Sequence, residues 1–263
     1  MANKYLTRDD AFFDNKAWHL IDNVMIESAK SQMVGRKLLK VKGPYGLGLK
    51  VVPLKDEEIE EGISMSSVLP VLYINRNFTL NKRDLAAFEH EGVPLDTSSV
   101  SEAAIWCARS EDDIIFNGKK NASGLLNIKG ANKVSLMKWE DVGAAANDII
   151  NAVTKLDEAG FHGPYTMALS PERYNQLYRR YPRGHGTEME HLKTIVTDGI
   201  YKAPVLKKGG VLLASGEQYV SIVLGQDMFI GFTGPAEDQV EFTISESLAL
   251  RVTNPKAIMV LNG

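Results

Sequence analysis

One cysteine in 263 residues, no block of basic side chains and no long apolar run are the shortages that set the first limits. Cys107 has no partner in the chain, which excludes an internal disulfide and a cysteine-based zinc site. It stands between Trp106 and Ala108 in a helical pattern, where a thiol packs as a small apolar group. Thirty basic and 33 acidic residues leave a net charge of −3. Affinity for nucleic acid through counterion release is therefore not expected. No apolar stretch approaches the roughly 20 residues that cross a bilayer, so no membrane association is expected either. The opening residues "MANKYLTRDDAFFDNKAW" lack the apolar core of a secretory signal, and their paired aspartates argue against a mitochondrial presequence. The expected location is the cytoplasm.

Catalytic motifs are equally scarce. None of His19, His90, His162, His185 and His191 falls in an HExxH pattern, so no metal site is expected. No serine occupies a GxSxG elbow, and no catalytic residue is nominated. The neighbouring carboxylates Asp112 and Asp113, or Glu60 and Glu61, read as solvated faces, because adjacent side chains diverge on helices and strands. The glycine-rich "GPYGLGLKVVPL" at 43–54 has the composition of a phosphate loop but the wrong order: a helix precedes it and an extended segment follows. It reads as a hinge. No cofactor is expected.

What the chain does contain is amphipathic helices early and strands late, the mark of an α+β protein. A first helix over 15–34 carries Trp18, Ile21, Met25 and Ala29 on one stripe, with Leu20, Val24 and Met33 on its flanks, Asp14 or Asn15 as cap and Gly35 as stop. Residues 47–80 are extended around the acidic run "KDEEIEEG", the pattern of a long hairpin with a solvated tip. A two-stranded arm is marginal alone, so a second copy of the chain is its expected support. "KRDLAAFEHEG" forms a short helix after Asn81. A longer one runs from Ser98 or Ser99 through Val100, Ala104, Trp106 and Ile114 to Gly118, with Glu102 placed for a capping box. A third spans 139–159, with Val142, Ala146, Ile149, Ile150, Val153 and Leu156 inward. "YTMAL" is a strand, and Ser170-Pro171 starts a helix ending in the polar loop "RRYPRGHGTE". The remainder is strand, with Val240, Phe242 and Ile244 facing one way.

The order of segments resembles the encapsulins, nanocompartment shell proteins of the linocin type, and among them the classical first family that captures cargo through a short C-terminal peptide. The resemblance is carried by "GRKLLKVKGPYG" at 35–46, "FTLNKRDL" at 78–85, "EDDIIFNG" at 111–118, "GLLN" at 124–127, "GPYTMALSPERYNQL" at 163–177, "LGQDMFIGF" at 224–232 and "LALRVTNPKAIMVL" at 248–261.

The resemblance implies a tailed-phage major capsid protein fold of the HK-ninety-seven type. Residues 1–46 would be the N-terminal helix and start of the peripheral domain, 47–75 the extended E-loop, and 76–133 the peripheral domain with its spine helix. Residues 134–221 would be the axial domain, and 222–263 the last peripheral strands. It implies a sixty-copy icosahedral shell without turnover. The enclosed cargo would be a ferritin-like ferroxidase or a dye-decolourising peroxidase, in a setting of iron storage or oxidative stress. The peptide groove would be formed by Arg36, Leu38 and Lys40, with Leu20, Ile21, Met25 and Ala29 as apolar floor and Ile230 and Phe232 on a nearby strand. Arg183, Gly184, His185, Gly186, Thr187 and Glu188 would ring a fivefold pore. A phage capsid protein packaging DNA shares the fold; the near-neutral charge and the encapsulin-type first helix favour the compartment.

Overall fold

Residues 4–182, 184 and 186–263 are described by the computed structural model, and the chain divides into two units. The first comprises 1–33, 43–111 and 224–249; the second comprises 34–42, 112–223 and 250–263. The second therefore contains the expected axial segment together with stretches from three other parts of the sequence.

In the first unit the helix Asn15–Gln32 is capped by Asp14, whose carboxylate accepts the Ala17 N–H at 3.0 Å. Its stripe of Ala17, Trp18, Ile21, Met25 and Ala29 is buried. The helix stops two residues short of Val34, because Met33 adopts an extended conformation. Gly35, expected as the stop, instead opens the short helix Gly35–Leu38 of the second unit. Close approach explains the glycine there: an added Cβ would lie 2.5 Å from Ile115 Cδ1.

Three strands here, Leu72–Asn81, Gln239–Val252 and Phe229–Ala236, pair antiparallel, with Gln239–Val252 between the other two. Val240, Phe242 and Ile244 are buried as the alternation requires, and Phe242 stacks on Phe78 with ring centroids 5.0 Å apart. The helix Lys82–Glu91 follows, capped by Asn81 and closed by Gly92 at φ 69°.

The arm is a hairpin with a solvated tip. Val51–Pro53 pairs with Val68–Pro70, and Glu57–Glu60 with Ile63–Met65. Val52 is buried, whereas Val51, Ile59, Ile63, Met65 and Val68 are each about half exposed. The arm leaves from the "GPYG" bend, where Gly43 and Gly46 have φ 106° and 111°. A Cβ on Gly43 would meet the Leu224 carbonyl oxygen at 2.6 Å, so position 43 disfavours other residues on both counts. Strands follow it, as a hinge requires and a phosphate loop does not.

The long helix Ser98–Asn117 begins in the first unit and ends in the second. Val100, Ala103, Ala104, Cys107 and Ala108 are buried, but Trp106 is 44% exposed, with the Arg76 guanidinium 5.3 Å from its ring. Small residues take the inner positions and turn the indole outward. Asp112, expected on a solvated face, is buried.

The second unit is built on a five-stranded sheet in the order Asn132–Ser135, Ile258–Asn262, Gly210–Ala214, Tyr165–Leu169, Ile200–Lys202. The two outer pairings are parallel and the two inner ones antiparallel. Its main helix, Ala144–Glu158, starts five residues later than expected, because Gly143 at φ 103° cannot continue a right-handed helix backward. Trp139 is outside the helix yet buried, its indole N–H donating to Asp148 Oδ2 at 2.8 Å. Ile150, placed inward by periodicity, is exposed; Ala145 and Ala152 are buried beside Ile149 and Leu156. Ser170 precedes the helix Pro171–Gln176 without a capping bond from its hydroxyl.

Candidate functional site

Two adjoining cavities occur in the first unit. The larger, about 990 Å³, has Tyr5 and Leu6 on one wall, Met25 and Ile26 of the first helix on another, and the "GPYG" bend and residues 225–229 opposite. Apolar surface predominates, with Asp22, Lys30 and Asp227 among the lining residues. Two features of the sequence shape it. The bend is held by the Tyr45 N–H donating to the Leu224 carbonyl at 3.0 Å. The helix presents Ile26, one residue beyond its buried stripe, to the opening. Tyr5, Ile26 and Phe229 all keep exposed apolar surface here. An extended peptide with apolar side chains matches such a groove.

The smaller cavity, about 500 Å³, is lined by Arg8, Phe13, Trp18 and His19, and it shares Asp22 and Phe229 with the larger one. Arg8 donates a two-pronged pair to the Asp22 carboxylate at 2.7 and 2.9 Å. Its guanidinium lies 3.8 Å from the Trp18 ring centroid and 5.1 Å from that of Phe229.

The structure sorts the sequence-derived groove residues. Met25 lines the larger cavity. Leu20 is half-buried and lines neither cavity. Ile21 and Ile230 have no exposed surface, and Ala29 and Phe232 have little; all four pack the core, Phe232 against Phe13 and Phe242. Ile21 and Ala29, expected on the groove floor, and Ile230 and Phe232, expected on its nearby strand, are corrected to core positions. For the helix pair the physical reason is the buried stripe that Ile21 and Ala29 share with Trp18 and Met25. For the strand pair it is period-two alternation: in "MFIGF", burial of Ile230 turns Phe229 outward. That signal was in the sequence and points to Phe229. Tyr5, Leu6 and Met228 carried no comparable signal.

Arg36, Leu38 and Lys40 belong to the second unit. They line a separate cavity of about 260 Å³ with Thr166, Asp198 and Ser215. Leu38 is buried, and Lys40 opens the short strand Lys40–Lys42, which runs parallel to Val220–Leu224.

Of the polar loop, Arg183 and His185 lie outside the described residues. The neighbouring geometry is defined. Thr187 caps the helix Glu188–Lys193 in a reciprocal box: its hydroxyl accepts the Glu190 N–H at 3.2 Å, and its own N–H donates to the Glu190 carboxylate at 2.7 Å. Glu188 is fully buried, accepting the Gly143 N–H at 2.8 Å and an Arg179 N–H at 3.2 Å. It anchors the loop instead of facing an opening, which corrects its expected role. Gly184 is exposed and Gly186 half-buried between these anchors. Tyr181 and His191 hydrogen-bond through the phenol oxygen and Nδ1 at 2.9 Å.

Among the described residues, no three His, Cys, Asp or Glu side chains group as metal ligands, and no helix is long and apolar enough to cross a membrane.

Residues 3–249 match a family model described as the encapsulating protein for peroxidase. The type 1 encapsulin shell protein EncA of Myxococcus xanthus is 30% identical, over 94% of this chain and 92% of its own length. A virus-like particle subunit from Pyrococcus furiosus superimposes with a TM-score of 0.76 at 23% identity, covering 92% of this chain and 98% of that one. The capsid subunit of Myoviridae Phage XM1 does so at 0.63 with 14% identity, covering 86% and 89%. At such identities these two likenesses establish the fold, that of tailed-phage capsid subunits.

Proposed function

We propose a function from one premise: this chain belongs to the encapsulin family of shell proteins. It is a structural subunit that assembles with copies of itself into an icosahedral nanocompartment and encloses a cargo enzyme. The observation that carries this reading is the arm. Its ladder exposes Val51, Ile59, Ile63, Met65 and Val68 together, with little core of its own. Covering apolar surface yields roughly 25 cal/mol per Å², and repetition around a closed shell multiplies each contact. Sixty copies, with residues 47–75 of each reaching a neighbour, is the arrangement we propose. Similarity to a shell protein at 30% identity over 94% of this chain favours the compartment over a DNA-packaging capsid, which the net charge of −3 also disfavours.

The larger cavity of the first unit is the proposed seat for the cargo's C-terminal peptide. Apolar walls would take apolar side chains, and Asp22, Lys30 and Asp227 would offer the charged contacts. Arg36, Leu38 and Lys40 are kept as a candidate contact for the peptide's polar end, since a guanidinium donates in a fork to a carboxylate. Normal filling of Arg36→Ala and Leu38→Ala shells would remove them. We assign the subunit no turnover, a cytoplasmic location, and as cargo a peroxidase or a ferritin-like ferroxidase; the family's description names the former. The 183–187 tip is proposed to border a pore for small ions.

Electron microscopy of the chain expressed alone and beside a cargo enzyme tests the reading. Uniform shells are expected in both cases, filled in the second, and empty once the cargo's C-terminal tail is deleted. A soluble monomer in which residues 47–75 fold back on their own chain would overturn it.

A further inference from the structure

We propose that the polar cavity of the second unit is a binding site for a small oxyanion, with inorganic phosphate as its simplest probe. All of its lining residues belong to that unit. Three cations border it, Arg36, Lys37 and Lys40, against one carboxylate, Asp198. Glu217, next to the lining residue Gly216, is paired with Lys42 at 3.7 Å. An excess of two positive charges therefore lines about 260 Å³. That volume falls below the roughly 300–1,000 Å³ of pockets that take drug-sized molecules, and it suits a compact ion with a few waters.

A second, independent observation is the hydroxyl of Ser215. This residue lines the cavity, yet its Oγ is buried and has no hydrogen-bond partner among the described residues. Such a group is costly to leave unpaired, and a rotation about χ1 is enough to aim it at an ion. The other lining hydroxyls are engaged: Tyr201 donates to the Asp198 carbonyl at 3.2 Å, and Thr166 more weakly to the Gly199 carbonyl at 3.4 Å. Strands hold the frame. Lys40 pairs with Ser221 in a parallel ladder, and Ser215 follows the central strand Gly210–Ala214, its own N–H donating to the Pro164 carbonyl at 2.8 Å. A ligand that only accepts hydrogen bonds and carries negative charge satisfies both the cations and the orphaned hydroxyl. Free phosphate and the C-terminal carboxylate of a bound peptide are two sources of that chemistry; only the second rests on the peptide reading above.

Equilibrium dialysis of assembled shells against radiolabelled inorganic phosphate, at constant chloride, measures bound ion per subunit. Saturable binding is expected in the wild type. Ser215→Ala should weaken it by about tenfold, the loss of one hydrogen bond to a charged group. Lys37→Gln should also weaken it, while Asp198→Asn, which removes the lining carboxylate, should tighten it by roughly fivefold. Residues that merely hold the fold would not shift affinity in these opposite directions. If Ser215→Ala shells fail to form, the other two variants carry the test. A leucine-containing Gly/Ser peptide, with its C-terminus free or amidated, separates the sources: displacement of phosphate by the free acid alone assigns the site to a peptide end, and displacement by neither assigns it to the free ion. Absence of saturable phosphate binding, or an affinity that all three variants leave unchanged, overturns the site and leaves the peptide groove of the first unit standing.

Discussion

The carboxylate of Asp112 accepts the backbone N–H of Val34 at 2.9 and 3.1 Å and that of Gly35 at 2.8 Å, across nearly eighty residues of sequence. It fixes where the chain turns into the Gly35–Leu38 helix, just before the segment that bears Arg36 and Lys40. Asp112→Ala strands two buried donors and should destabilise the second unit by about 2–4 kcal/mol; Asp112→Asn keeps one acceptor and should lose less. Thermal melting of purified shells reads both, and wild-type melting in the alanine variant would contradict the assignment.

Burial pushes the Cys107 thiol up to about 12, with Glu246 acting in the same direction and Arg76 against it. Thiolate is then almost absent at neutral pH, and alkylation of the folded protein should be slower than that of the unfolded chain by roughly a thousandfold. The stability sign follows. The folded state prefers the neutral thiol, so this contribution is intact below the unfolded value near 9 and declines as pH rises from there toward 12. Iodoacetamide labelling with and without denaturant, and urea unfolding across that window, check the two statements.

Ile63→Asp or Val68→Asp puts a charge on an exposed apolar position of the arm. The isolated fold should be unaffected, because neither side chain is buried within its own chain. Covering a carboxylate at a subunit contact costs several kcal/mol, so closed shells should disappear. Size-exclusion chromatography and circular dichroism together separate loss of assembly from loss of folding.

Deleting residues 183–186 should leave assembly intact and change the entry of small ions. The anchors survive the deletion: Thr187 with Glu190, and Glu188 with Arg179 and Gly143. Stopped-flow quenching of an enclosed metal-sensitive dye measures entry. Identical rates in the two shells would mean that this tip borders no pore.

Elements whose signals are local were legible in advance. Asp14, Asn81 and Gly92 mark helix ends through hydrogen bonds within one turn, and the arm followed from strand patterns flanking an acidic run. Positions decided by distant neighbours were not. Periodicity put Ile150 inward, but alanine neighbours fill the core positions there and leave the larger side chain exposed. Glu188 and Asp112 looked like surface carboxylates because nothing nearby in sequence announces Arg179, Gly143 or Val34 as their partners.

The sequence by itself determined the α+β class, the hinge at "GPYG", the arm and the family resemblance, since each rests on periodicity, turn chemistry or the order of segments. Tertiary structure alone decided which apolar residues line a cavity: Ile26 and Phe229 open onto a groove, while Ile21 and Ile230 close into the core. Hydrophobicity is the same in both pairs. What differs is which side of a helix or strand the rest of the fold covers, and that depends on contacts made far along the chain.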